Sequence, residues 1–84
     1  MALTKTVNLY TTLGCHLCDD ALKLLDEYST KTSPLDIVEI EIADSDVLVD
    51  RYGIRIPVIQ LPTNQLELGW PFDSALLKVF LTKT

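Results

Sequence analysis

Two cysteines, Cys15 and Cys18, stand three positions apart where the hydrophobic period of the chain changes, and that junction constrains the fold most. Before it, Val7, Leu9 and Tyr10 form a short apolar strand ending at Thr11-Thr12-Leu13-Gly14. After it, Cys18, Ala21, Leu22, Leu25 and Tyr28 recur at three- and four-residue spacing. Asp19, Asp20, Lys23, Asp26 and Glu27 fill the gaps, which predicts an amphipathic helix from Cys15 to about Ser29. The cysteines therefore open a helix that a strand feeds. A bond between them closes too short a loop to restrict the unfolded chain much. The 84-residue chain must be held by its core, and 48% hydrophobic residues with only 3 Gly and 4 Pro supply one. The cysteine pair is placed for chemistry or metal rather than for stapling.

Further along, Lys31-Thr32-Ser33-Pro34 reads as a turn. Val38, Ile40 and Ile42 alternate with Glu39 and Glu41, the mark of a half-exposed strand. Asp44-Ser45-Asp46 offers a cap for a short helix through Val47, Leu48 and Tyr52, which Gly53 ends. Ile54-Arg55-Ile56-Pro57 leads into an apolar strand, Val58-Ile59-Gln60-Leu61; Pro62-Thr63-Asn64 turns it back, and Gln65-Leu66-Glu67-Leu68 returns as a hairpin. After a break at Gly69-Trp70-Pro71-Phe72, Asp73 caps a last helix with Ala75, Leu76, Val79 and Phe80 as its inward stripe. The order is β-α-β-α-β-β-α: an α/β chain with a four-stranded mixed sheet and three helices, read as one domain over 1–84. The opening strand–helix–strand implies a parallel crossover and the closing hairpin an antiparallel pair.

A net charge of −5, from 12 acidic and 7 basic residues, opposes nucleic-acid phosphates and anionic lipid heads. Neither nucleic acid nor a membrane is expected as a partner. No apolar run approaches the roughly 18 residues of a spanning helix. The start, Met1-Ala2-Leu3-Thr4-Lys5-Thr6, has no apolar stretch of the kind that marks a secretory signal. The expected compartment is the cytoplasm.

The order of elements, with a Cys-X-X-Cys opening the first helix, resembles the thioredoxin-like fold in its minimal, glutaredoxin-type form. Two segments carry the resemblance. Tyr10-Thr11-Thr12-Leu13-Gly14-Cys15-His16-Leu17-Cys18 is similar to the strand–loop–CxxC segment of glutaredoxins. Tyr52-Gly53-Ile54-Arg55-Ile56-Pro57 is similar to the thioredoxin segment ending in the cis-proline that faces the cysteines. Three positions depart from the pattern. His16-Leu17 stands between the cysteines instead of Pro-Tyr or Gly-Pro. Thr12 stands where many glutaredoxins carry lysine, and Gly69-Trp70 replaces Gly-Gly, while Asp73-Ser74 matches the acidic start of the last helix. The resemblance implies a thiol–disulfide oxidoreductase of cell redox homeostasis with a redox-active disulfide. It would act on a protein or small-molecule disulfide as a monomer and need no cofactor, with glutathione as one candidate reductant.

Helix geometry assigns the roles. Cys15 at the N-cap faces unpaired N–H groups and the positive end of the helix dipole, which favour its thiolate. Cys18, a turn inward, is the less exposed, resolving thiol. An ordinary cysteine with a pKa near 8.5 is only about 3% ionised at pH 7, and lowering it to about 7 takes roughly 2 kcal/mol. Asp19 and Asp20 oppose that shift. His16 either supports the thiolate as a cation or is an idle exposed residue. The resemblance implies a cis Pro57, with the Ile56 backbone free to pair with a substrate strand. Arg55 steers an acidic substrate, offsets Asp19 and Asp20, or is a solvated loop charge. Tyr10 lines the cysteine groove or belongs to the core, and Trp70 is expected to pack under the last helix. Two rival readings stay open: a redox-inactive binding module, and an iron–sulfur or metal carrier bridging two chains. Two Cys and one His fall short of the four ligands that zinc takes, so no metal site is expected within one chain.

Overall fold

Strand β1 (Lys5–Thr11) sends alternate side chains to opposite faces of a sheet, and both faces are covered. The structure, a computed structural model, describes residues 4–83. Met1-Ala2-Leu3 at the amino terminus and Thr84 at the end of the 1–84 span lie outside the described residues. After β1 come α1 (His16–Lys31), β2 (Leu35–Glu41), a 3₁₀ turn (Ile42–Asp44), α2 (Asp46–Tyr52), β3 (Val58–Gln60), β4 (Glu67–Gly69) and α3 (Ser74–Leu81). The sheet order is β2-β1-β3-β4. β1 and β2 are parallel, with Thr11 opposite Glu41 at the last rung. β3 runs antiparallel to β1, pairing Leu9 with Ile59 and Tyr10 with Val58, and β4 runs antiparallel to β3.

The alternation explains two separate cores. Val7, Leu9, Ile59 and Leu61 meet Ala21 and Leu25 of α1 and Leu77, Phe80 and Leu81 of α3. Tyr10 and Val58, on the opposite face, meet Ile42 and Tyr52 under α2. Tyr10 stacks on Tyr52 with ring centroids 4.1 Å apart, a contact worth roughly 0.5–1.5 kcal/mol beyond its buried area. Trp70 is half-buried against the larger core and meets Phe72 edge-on at 5.1 Å, as its packing role predicts.

Tertiary packing shifts several expectations. α1 runs two residues past Ser29, to Lys31. β2 begins earlier than its alternation suggests, and Ile42 leaves the strand to be buried from the 3₁₀ turn. As an edge strand, β2 packs Leu35 and Ile37 against one core and Ile40 against the other, while Val38 stays 40% exposed. The hairpin is shorter than expected because Gln65, with φ +61°, is still in the turn; its N–H donates to the Leu61 carbonyl at 2.7 Å.

The inward stripe of α3 is corrected. Leu77, Phe80 and Leu81 are buried, whereas Ala75, Leu76 and Val79 face solvent. The helix is apolar almost all round, so its periodicity admits two faces that share Phe80, and packing on α1 and the sheet selects one.

Candidate active site

α1 starts where a strand, a short loop and a helix terminus meet. β1 ends at Thr11, and the chain turns through Thr12, Leu13 and Gly14, the last at φ +80°, a conformation that costs glycine little. The Cys15 N–H donates to the Thr12 carbonyl at 3.3 Å, and the Asp19 N–H to the Cys15 carbonyl at 3.2 Å. Cys15 is the N-cap: its extended backbone precedes the helix, and its Sγ accepts the Cys18 N–H at 3.1 Å. A sulfur thus fills the place that a Ser, Asp or Asn oxygen usually takes at a helix start.

Cys15 and Cys18 are joined as a disulfide, with Cα atoms 5.2 Å apart. Cys15 is partly exposed and Cys18 is buried at 3% exposure, so an incoming thiol meets Cys15 first. His16 begins α1 and faces solvent. Leu13, at 92% exposure, and Leu17 flank Cys15 as exposed apolar side chains.

The Ile56–Pro57 peptide bond is cis, as is Trp70–Pro71. Pro57 is buried and immediately precedes Val58, whose partner is Tyr10. This register brings Pro57 to the same end of the sheet as the loop to Cys15. Of the Ile56 backbone groups expected to be free, the N–H is engaged: it donates to the Tyr52 carbonyl at 3.0 Å, while the Pro57 carbonyl accepts the Trp70 N–H at 3.0 Å. The first of these bonds exists because the chain after α2 continues in a tight turn, folding Arg55 and Ile56 back onto the helix end.

Arg55 is tied elsewhere than Asp19 and Asp20. Its guanidinium lies 3.7 Å from the Glu67 carboxylate and 5.7 Å from the centroid of the Tyr52 ring. Tyr10 belongs to the core at 8% exposure, and its hydroxyl donates to Gln60 Oε1 at 3.0 Å. The Tyr52 hydroxyl donates to Glu67, and burial together with that carboxylate keeps it protonated well above the ordinary tyrosine range. Asp73 caps α3, its Oδ1 accepting the Leu76 N–H at 2.9 Å. Arg55, Tyr10 and Asp73 are therefore held by partners within the chain.

Glu41 was legible only as an exposed strand residue, yet it touches the cysteine loop. Its Oε2 accepts the Leu13 N–H at 3.1 Å and its Oε1 the Ala43 N–H at 2.9 Å. The Ala43 N–H, and after it the Thr12 side chain, hold its carboxyl below the ordinary value of 4.5. The Glu41 and Leu13 partnership follows from the parallel register of β1 and β2, which no local pattern discloses. With Asp19 and Glu39, Glu41 lines a cavity of about 310 Å³ along Thr11–Gly14.

Residues 6–82 match the family model described as Glutaredoxin-like domain (DUF836). The chain belongs to this family. It is similar to the protein XcR50 from X. campestris, an X-ray structure with 33% identity and a TM-score of 0.80, covering 93% of this chain and 97% of that one. It is also similar to protein Ne2328 from Nitrosomonas europaea, with 25% identity, a TM-score of 0.80, and 95% and 94% coverage. A thioredoxin-2 described as a component of malaria parasite protein secretion machinery shares the fold. Its TM-score is 0.67 at 17% identity, over 100% of this chain and 86% of that one. No curated protein matches the chain.

This glutaredoxin-like chain thus carries a Cys-X-X-Cys pair at the helix start of a thioredoxin-like fold. Among the described residues, no group of three or more His, Cys, Asp or Glu side chains is placed to hold a metal ion. Among them too, no helix is long and apolar enough to cross a membrane.

Proposed function

We propose that the chain is a dithiol–disulfide oxidoreductase acting on protein or small-molecule disulfides in a reducing compartment such as the cytoplasm. The observation that carries this reading is the Cys15 sulfur at the N-cap of a sixteen-residue helix, accepting the Cys18 N–H. Charge-assisted hydrogen bonding and the helix dipole favour a thiolate there. About 2 kcal/mol of such stabilisation raises the ionised share at pH 7 from about 3% to about half.

In the reduced protein, the Cys15 thiolate attacks one sulfur of a substrate disulfide. The S–S bond breaks, its other sulfur leaves as a thiolate and takes a proton from water, and a mixed disulfide forms at Cys15. Cys18 loses its proton to solvent and attacks Cys15 Sγ, releasing the second substrate thiol and closing the Cys15–Cys18 bond. Two electrons pass from the dithiol to the substrate. An external thiol pair, two glutathione molecules or a protein dithiol, then reduces Cys15–Cys18. The burial of Cys18 supports this division of labour, since the first encounter falls on the more exposed sulfur. The chemistry needs no bound cofactor and a single chain suffices.

The test uses Cys18→Ser, which removes the resolving thiol. Incubated with a disulfide-bonded peptide or with oxidised glutathione, it is expected to accumulate a mixed disulfide at Cys15 that intact-mass measurement identifies. A Cys15 that forms no adduct with either substrate turns the reading to a binding module without turnover.

A further inference from the structure

We propose that Glu41 is a positioning residue for the cysteine pair: its carboxylate holds the Thr12–Gly14 loop so that Cys15 stays at the start of α1 when the disulfide is open. The inference deepens the oxidoreductase reading and rests on it for its functional meaning. In the oxidised protein the bond to Cys18 itself fixes Cys15. Reduction removes that tether. Cys15 is then held on its N-terminal side through Gly14, a residue of wide conformational freedom, and through its N–H bond to Thr12. Leu13, next to Thr12 in the loop, is anchored in turn by Glu41 through its N–H. The carboxylate is fixed from the other side by the Ala43 N–H, where it caps the 3₁₀ turn. Because Thr11 and Glu41 are the last paired residues of β1 and β2, the side chain extends the sheet's grip by two residues into the loop.

The helix N-terminus stabilises a thiolate only at contact range. Loss of the clamp lets Cys15 Sγ sample positions away from the Cys18 N–H, and the thiolate loses part of that support. The carboxylate's own negative charge acts in the opposite direction, favouring the neutral thiol. Asp19 and Asp20 of α1 and Glu39 of β2 do the same, and His16 is the titratable group of opposite sign on the adjoining helix turn. The two influences of Glu41 therefore predict opposite signs, which makes them separable.

The experiment titrates Cys15 in the reduced protein by thiolate ultraviolet absorbance and by its alkylation rate against pH. The wild type is compared with Glu41→Gln, Glu41→Ala and Glu39→Gln, each checked for folding by circular dichroism. The reduction potential of the pair is measured in a glutathione buffer. Glu41→Gln keeps one acceptor oxygen and the side-chain shape, so it stays informative even where Glu41→Ala fails to fold. Both Glu41 variants are expected to raise the Cys15 thiol pKa, with alkylation at a pH below it slowed about threefold in Glu41→Gln and more in Glu41→Ala. Their potentials move in the reducing direction. Glu39→Gln removes a charge from the same cavity without touching the loop and is expected to leave the pKa unchanged or lower it. An unchanged or lowered pKa in Glu41→Gln overturns the proposal, as does an equal rise in Glu39→Gln. These titrations need no turnover: a wild type inert toward disulfides sinks the oxidoreductase reading, whereas the Glu41 comparison still decides the positioning role.

Discussion

The starts of α1 and α3 share one backbone device and differ in the side chain that caps them. In both, an extended N-cap residue precedes the helix, and its side chain accepts the N–H three residues on: Cys15 Sγ from Cys18 at 3.1 Å, Asp73 Oδ1 from Leu76 at 2.9 Å. The carboxylate has no thiol–disulfide chemistry to undergo there. The sulfur, capped in the same way, is a nucleophile whose reactive form the cap stabilises. The comparison teaches that helix-start geometry is generic, and that function enters through the identity of the capping atom and a second sulfur one turn away. The surroundings differ too: Asp73 follows the buried Phe72, whereas Cys15 follows a loop clamped from a neighbouring strand.

The largest effect should come from replacing the atom while keeping the cap. Cys15→Ser preserves an N-cap acceptor, and disulfide exchange is expected to vanish while the melting temperature of the reduced protein changes little. Residual exchange at the wild-type rate would place the chemistry elsewhere. Next comes the helix that bears the inert cap. Leu77→Ala should cost about 2–4 kcal/mol, because it empties a fully buried position. Leu76→Ala, at a half-exposed position, should cost under about 0.5 kcal/mol. Urea unfolding separates them, and equal losses would reject the face assigned to α3.

Removing the inert cap tests the comparison directly. Asp73→Ala should destabilise by about 1 kcal/mol and Asp73→Asn by far less. Both should leave exchange kinetics untouched, and a fall in exchange rate beyond the loss of folded protein would restore Asp73 to the site. The smallest effect concerns the loop clamp. Glu41 has its carboxyl lowered in the folded state, first by the Ala43 N–H and then by Thr12. It therefore contributes stability above its ordinary value of 4.5, and that contribution fades as pH falls through the lower folded value. Thermal unfolding of wild type and Glu41→Gln should differ at neutral pH and converge as the pH falls through the lowered folded value; a constant gap would deny the carboxylate this linkage.

Local chemistry announced much of the site. Cys15 and Cys18 were readable because a change of hydrophobic period places them at a helix start, and helix starts have known unpaired donors. The Tyr52–Pro57 segment was readable only by resemblance, and there the N–H of Ile56 proved to be engaged by Tyr52. Arg55 could not be assigned a partner from the chain, since Glu67 reaches it only once the hairpin packs beside α2. Glu41 looked like one of several outward acidic residues of an alternating strand.

The order of elements, the strand–helix junction at Cys15 and the caps at Cys15, Ser45 and Asp73 follow from residues close together in the chain, because helix periodicity and capping act over three or four positions. Which face of α3 is buried, which charge Arg55 meets and which loop Glu41 grips were settled by strand register and the packing of helices on the sheet. Those contacts join residues 12 to 28 positions apart or more, and nothing local to either partner encodes the distance between them.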